Sequence, residues 1–102
     1  MIRIRIHSDA SCFRLEANGH AQYDEKGKDI VCAAVSAVTH TMCVYAIESG
    51  HTGGHTISGD GNGWIYLECY TDDYAKEALN AMVRGLEEIS ENYPDHVVVM
   101  QD

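Results

Sequence analysis

The run from Ile30 to Ser49 constrains the fold most, because it contains neither glycine nor proline. Apolar side chains recur in it at three- and four-residue steps, at Val35, Val38, Met42 and Tyr45. This periodicity predicts a largely buried helix, and the run is too long for a single strand. Small residues at Ala33, Ala34 and Ala37 favour close packing against a neighbouring element. Asp29 is a good N-cap for this helix, and Gly50 is a good stop signal.

Strand patterns flank the helix on both sides. Before it, Ile2, Ile4 and Ile6 alternate with charged residues, and Phe13, Leu15 and Ala17 repeat the pattern. After it, a hairpin is predicted from Thr56–Ser58 and Trp64–Tyr70 around a turn rich in Gly, Asp and Asn. A second apolar stripe begins after Asp72 and ends before Pro94, and a short strand covers Val97–Met100. The predicted order is β-β-α-β-β-α-β, an α+β fold with two helices packed on a mixed β-sheet, in a single domain over residues 1–102. Trp64, Tyr66 and Tyr70 share one face of their strand, and we expect them to pack in the core.

The charge balance is acidic, with 16 carboxylates against 7 lysines and arginines. Such a surface repels phosphate backbones, so direct nucleic-acid binding is not expected, whereas a basic partner is favoured. No run of about 20 apolar residues is evident, so no membrane span is expected. Arginine and isoleucine alternate at the N-terminus, unlike the apolar core of a signal peptide, so we expect a cytoplasmic protein.

The four cysteines do not form a CxxC pair, which argues against a zinc ribbon or a thioredoxin-like site. We interpret Cys12, Cys43 and Cys69 as small hydrophobic residues of the interior. His40, His51 and His55 have no spacing that forces a metal site, and we interpret them as loop or partly exposed histidines. No metal or cofactor is therefore predicted.

Cys32 is the candidate nucleophile, because with Asp29 as N-cap it occupies the third helical position. The first turn of a helix offers unpaired backbone N–H groups and the positive end of the helix dipole, and both stabilise a thiolate relative to a thiol. His20 is the nearest imidazole in the sequence, and it could protonate a leaving amine. The backbone N–H groups of Cys32 and Ala33 are candidates for an oxyanion hole. Asp29 could cap the helix or orient the His20 imidazole, and the sequence leaves both roles open.

The central motif resembles the signature of the ribosomal-processing cysteine protease family, called Prp. It consists of Gly19-His20-Ala21, a short loop, and the block Gly27-Lys28-Asp29-Ile30-Val31-Cys32-Ala33-Ala34-Val35-Ser36-Ala37. The resemblance implies a cysteine endopeptidase with Cys32 as nucleophile, His20 as general base and acid, and Asp29 and Ser36 in supporting roles. It also implies a homodimer, and a mobile loop that orders over the substrate, formed by Gln22, Tyr23, Asp24, Glu25, Lys26, Gly27 and Lys28. The implied substrate is the precursor of large-subunit ribosomal protein number twenty-seven, a basic protein from which the N-terminal extension is removed.

Two other functions remain open from the residues alone. One is a non-catalytic binding or ribosome-assembly module of the same fold that docks on a basic protein partner. The other is a thiol sensor or a metal site built on Cys32.

Overall fold

The computed structural model describes all of residues 1–102, and its element order confirms the predicted β-β-α-β-β-α-β arrangement. The strands are β1 (Ile2–Ser8), β2 (Cys12–Asn18), β3 (Thr52–Gly59), β4 (Trp64–Thr71) and β5 (Val97–Gln101). The helices are α1 (Ile30–Glu48) and α2 (Asp73–Asn92). An aspartate caps each helix from the position just before it: the Asp29 side chain accepts two backbone N–H groups of α1, and the Asp72 side chain accepts the Ala75 N–H of α2.

The five strands form one mixed sheet in the order β3-β4-β2-β1-β5. The pairs β1–β2, β2–β4 and β3–β4 are antiparallel, whereas β1 and β5 run parallel. The parallel pair follows from the crossover through α2, since parallel neighbours need a long connection. The amino ends of β1 and β5 therefore lie at the same edge of the sheet, beside the segment that leaves β2.

The core lies between the sheet and the two helices. Its largest fully buried side chains come from every layer, and they include Phe13, Ile4, Leu15, Met42, Leu67, Leu79 and Leu86. Strand alternation sends Leu67 and Cys69 of β4 into this core. The prediction that Trp64, Tyr66 and Tyr70 pack in the core was wrong, because they alternate with these residues onto the sheet face that no helix covers. Tyr70 is 65% exposed there, and the Trp64 indole N–H donates to the Glu16 carboxylate at 2.9 Å.

α1 lies on the sheet along one side only. Its buried residues are Val31, Val35, Thr39, Met42, Cys43 and Ala46, and its outer side remains exposed. By length and composition α1 is apolar enough to cross a membrane, contrary to the sequence-based expectation that no segment would qualify. A core helix passes the same test, and α1 contributes to the core as described.

Candidate active site

The start of α1 places Cys32 at the third helical position, as the sequence predicts. Its side chain is partly buried, and its Sγ atom accepts a hydrogen bond from the Ala21 backbone N–H at 3.3 Å. This donor reaches the sulfur across 11 positions of sequence, from the segment that follows β2. A hydrogen bond donated to sulfur favours the thiolate, which is the nucleophilic form of cysteine.

His20 reaches the same site because the chain turns sharply where β2 ends. Gly19 has φ of +105°, a conformation that a side chain would strain, and a Cβ there would also collide with the Met1 carbonyl. Gly19 N–H donates to the carbonyl of Gly63 at 2.8 Å, which ties this turn to the β3–β4 hairpin. The exposed His20 imidazole lies directly against Gly63.

Two clefts meet at Cys32. A cleft of about 320 Å³ lies between α1 and the β3–β4 hairpin, and Ile57, Ile65 and Val35 supply part of its apolar lining. A second cleft of about 540 Å³ lies on the side of the loop after His20. The residues that line both clefts are Cys32, His20, Ser36, Gly61, Asn62 and Gly63. The structure thus brings the predicted cysteine and histidine to one place, where an extended chain could pass on both sides of the sulfur.

Asp29 acts as a cap in this structure. One carboxylate oxygen accepts the N–H groups of Val31 and Cys32 at 3.0 and 2.9 Å, and the other accepts those of Tyr23 and Asp24 at 2.9 and 3.3 Å. Burial opposes the charge of Asp29, but these donors together outweigh it and hold the pKa of the carboxyl below its usual value. Asp29 has no hydrogen bond to His20, so its geometry favours the capping role over the orienting role.

The oxyanion-hole prediction is not supported by this conformation. The Cys32 N–H donates to the Asp29 carboxylate at 2.9 Å, and the Ala33 N–H donates to the Asp29 carbonyl at 3.1 Å. Both groups are thus engaged by the cap and the first helical turn. They could bind an oxyanion only if Asp29 released them.

The remaining predicted residues border the site. Ser36 is exposed one helical turn after Cys32. The loop from Gln22 to Lys28 is exposed throughout, and four of its residues line the larger cleft: Gln22, Asp24, Lys26 and Gly27. Of His40, His51 and His55, for which no metal-binding role was predicted, only His40 lines a cleft at the site.

The other three cysteines lie in environments that disfavour a thiolate. Burial raises the pKa of Cys43 and of Cys69. Burial also raises the pKa of Cys12, and the negative charges of Asp9 and Glu68 raise it further. All four thiols are free. Cys32 is therefore distinguished from the others by its helix start, its N–H donor and its position between the clefts.

Three groups at the site were missed by the sequence reasoning. The Ala21 N–H was missed because a backbone donor leaves no mark on the residue type. Gly63 and Asn62 were missed because only the pairing of β2 with β4, with Asn18 opposite Trp64, brings their turn beside His20. The glycine-rich turn was a possible signal, but it was interpreted as a hairpin turn alone.

Gly63 provides a test of how the imidazole is held. A Cβ at this position would lie 2.8 Å from Nε2 of His20 and 2.9 Å from its Cε1, and φ of +93° is itself unfavourable for a side chain. We expect Gly63→Ala to displace the imidazole and to lower kcat/KM about 100-fold, because small misplacements of catalytic groups have effects of this size. Steady-state kinetics would measure the loss.

Gly61→Ala is the matched control, since its added Cβ meets nothing within 4 Å although its φ is also positive, at +68°. Equal effects of the two changes would show that turn strain, and not His20 displacement, causes the loss.

Asp29 gives the site a pH dependence on the acid side. Its folded-state pKa is lowered from 3.8, so its contribution to stability is fully present above pH 3.8 and is lost as the pH falls through the lower folded-state value. Asp29→Asn keeps one acceptor for the helix cap but loses the charge that holds Tyr23 and Asp24. We expect a loss of about 1 kcal/mol in the free energy of unfolding at neutral pH. In thermal unfolding measured against pH, the difference from the native protein should shrink in acid. A difference that stays constant down to about pH 2 would contradict the assignment.

The fold and the site together define a class, a small α+β cysteine hydrolase with its thiol at a helix start and a histidine that lines the same clefts. The family model described as Cysteine protease Prp matches residues 1–98, and the chain belongs to that family. It is therefore a cysteine protease. The Ribosomal processing cysteine protease Prp of Bacillus subtilis (strain 168) is 31% identical over 103 residues, covering 94% of this chain and 91% of that protein.

Solved structures agree with this assignment. An essential ribosomal processing protease Prp from S. aureus, in complex with a covalently linked product peptide, superposes with a TM-score of 0.86 at 28% identity. The same protease in complex with a substrate peptide gives 0.74 at 26% identity. Both matches cover 100% of each chain.

These comparisons favour the protease over the non-catalytic module that the sequence left open. The chain contains no group of three or more His, Cys, Asp and Glu residues arranged to hold a metal ion.

Proposed function

We propose that this chain is the endopeptidase that removes the N-terminal extension from the precursor of large-subunit ribosomal protein number twenty-seven. The observation that carries the proposal is the arrangement of Cys32 and His20 on the same two clefts, with the Ala21 N–H on the sulfur. It is supported by membership of a family whose relatives are named ribosomal processing proteases.

The proposed chemistry begins with the Cys32 thiolate. The sulfur attacks the carbonyl carbon of the scissile peptide bond, the C–N bond breaks, and the imidazolium of His20 gives its proton to the departing amine. The new N-terminus leaves, and the extension remains bound to Cys32 as a thioester. His20 then removes a proton from a water molecule, which attacks the thioester and releases the extension as a carboxylic acid. The thiolate is restored as His20 retains the proton.

The two clefts support an extended substrate. A peptide that passes over Cys32 can place the residues before the scissile bond in one cleft and those after it in the other. The cleft beside the hairpin is lined by more hydrophobic residues, among them Ile57, Ile65 and Val35, and so suits large apolar side chains. The loop from Gln22 to Lys28 borders the other cleft, where closing over the bound peptide is its proposed role.

Charge supports a basic substrate. The chain carries a net charge of −9, and a ribosomal protein must neutralise RNA phosphates and is therefore basic. Opposite charges raise the rate of encounter at low salt. The proposed reaction takes place in the cytoplasm, where the precursor meets the enzyme before ribosome assembly is complete.

A homodimer is also part of the proposal. The outer side of α1 carries an exposed apolar stripe at seven- and three-residue steps, formed by Ile30, Ala37, Val44 and Ile47. This is the spacing at which two helices pack along a shared seam. In equilibrium sedimentation, we expect the native chain to be a dimer and Val44→Glu to be a monomer. A native chain that is monomeric and fully active at all concentrations would contradict this part of the proposal.

The function is tested with the host's own precursor. The purified enzyme is incubated with the extended ribosomal protein, and the products are weighed by mass spectrometry. We expect one cut that yields the mature protein and the free extension, and no cut in a control protein that already lacks the extension. An intact precursor after prolonged incubation with enzyme that still reacts at Cys32 would overturn the proposed substrate.

A further inference from the structure

His96 lies just before β5, far from the active-site motif in sequence but adjacent to it in space. Its Nδ1 atom is 2.8 Å from the carbonyl oxygen of Ala21, across 75 positions of sequence. Its own carbonyl accepts the Ile2 N–H at 2.8 Å, and its N–H donates to the Tyr93 carbonyl at 2.9 Å. The residue is thus fixed at the sheet edge where β1 and β5 begin.

The tautomer of His96 follows from its partner. A carbonyl oxygen can only accept, so Nδ1 must carry a proton and donate it to Ala21. The ring is also held from the side, because Tyr23 packs edge-on against it with ring centroids 5.3 Å apart. His96 is partly buried, which strengthens a hydrogen bond relative to one in water.

Ala21 connects this hydrogen bond to the nucleophile. Its methyl group is buried, with 1% of the residue exposed, while its carbonyl accepts from His96 and its N–H donates to the Cys32 sulfur. The next residue, Gln22, has φ of +55°, so the backbone bends sharply directly after Ala21. Ala21 lies outside any strand or helix, between two residues with positive φ, Gly19 and Gln22. The orientation of its peptide groups therefore depends on the hydrogen bonds that they make.

We propose that His96 is a positioning residue for the nucleophile, because its hydrogen bond to the Ala21 carbonyl holds the Ala21 N–H on the Cys32 sulfur. The inference rests on the proposed role of Cys32. His96 does not touch the reacting atoms; it acts through one residue, Ala21. The same tether also fixes the backbone next to His20, whose carbonyl accepts a hydrogen bond from the N-terminal ammonium of Met1.

Two substitutions separate the hydrogen bond from the packing. His96→Phe keeps a ring against Tyr23 but has no donor, whereas His96→Asn loses the ring but keeps an N–H near the position of Nδ1. Two quantities are measured: kcat and KM on the extended precursor, and the pH dependence of iodoacetamide alkylation at Cys32, followed by peptide mass spectrometry. The alkylation needs no substrate, so it tests the inference even if the proposed substrate is wrong.

We expect His96→Phe to lower kcat about 10- to 100-fold with little change in KM, the effect of one hydrogen bond to a charged group. Its alkylation profile should move towards higher pH, because a displaced Ala21 N–H stabilises the thiolate less. His96→Asn should restore both quantities to within about threefold of the native values. His51→Ala is the control, because it removes another histidine whose Nδ1 has a close partner, Asp72 at 2.6 Å, at the other end of α1.

An unchanged alkylation profile in His96→Phe would overturn the inference, and so would an equal loss in His96→Phe and His96→Asn. If His96→Phe does not fold, as judged by circular dichroism, the comparison of His96→Asn with His96→Ala decides in the same way. Cleavage by Cys32→Ala would instead overturn the proposed function itself, so the two failures are distinguishable.

Discussion

Cys32→Ala will abolish processing of the extended precursor, with a loss of about 10⁵- to 10⁶-fold in kcat, the scale seen when a catalytic nucleophile is removed. The reason is that Cys32 is the only thiol that lines either cleft. Ser36 also lines both clefts, but no N–H donates to its hydroxyl as the Ala21 N–H donates to the Cys32 sulfur. Single-turnover kinetics with excess enzyme measure the chemical step directly.

Binding should survive this change. The sulfur contributes little surface to the clefts, so the dissociation constant of the precursor for Cys32→Ala should stay within about threefold of the value for inactive, alkylated native enzyme. Cys43→Ala is the matched control: Cys43 is in the same helix, but it is buried, and burial raises its pKa. Cleavage by Cys32→Ala at more than one-hundredth of the native rate, about 3 kcal/mol of lost transition-state stabilisation, would contradict the assignment.

His20→Asn will have the second-largest effect, a loss of about 10²- to 10⁴-fold in kcat, which is the usual contribution of a general acid and base. Asparagine keeps a polar group at the position of Nδ1 but cannot carry a proton between the thiol, the amine and the water. The pH–rate profile should therefore lose the limb that the imidazole contributes. His55→Asn is the control, because His55 is exposed on β3 and its side chain has no hydrogen bond in the structure. A His20→Asn enzyme with native kcat and an unchanged pH profile would exclude His20 as the base.

The fold was predictable where local pattern and long-range packing agree. The alternation of Ile2, Ile4 and Ile6 predicted the buried face of β1, and these residues are 5%, 0% and 2% exposed. The glycine-free run predicted α1, with its start at Asp29, because capping and apolar periodicity are local properties. The strand order was not predictable, since it depends on which strand edges pair.

β4 shows why a pattern can give the strand but not its buried face. Both of its faces are apolar, one with Ile65, Leu67 and Cys69 and the other with three aromatic residues. Alternation divides these residues correctly but does not say which set the helices cover. The helices cover the smaller side chains, and the aromatic set lies on the open face of the sheet.

The site was predictable only in part, for the same physical reason. Asp29, Cys32 and His20 lie within 13 positions of one another, and the resemblance to a family names them together. The capping carboxylate that makes the helix start also engages the N–H of Cys32, so the cap competes with the oxyanion hole predicted there. The contact of His96 with Ala21 joins opposite ends of the chain, and no local pattern carries that information.

The decisive experiment traps the covalent bond that we expect to form between the Cys32 sulfur and the extension. The native enzyme is mixed with extended precursor, quenched in acid within one turnover, digested, and mapped by mass spectrometry. We expect a thioester adduct of the extension on the peptide that contains Cys32, and none on Cys12, Cys43 or Cys69. An adduct on any other residue, or undiminished cleavage by enzyme whose Cys32 is already alkylated, would contradict this expectation.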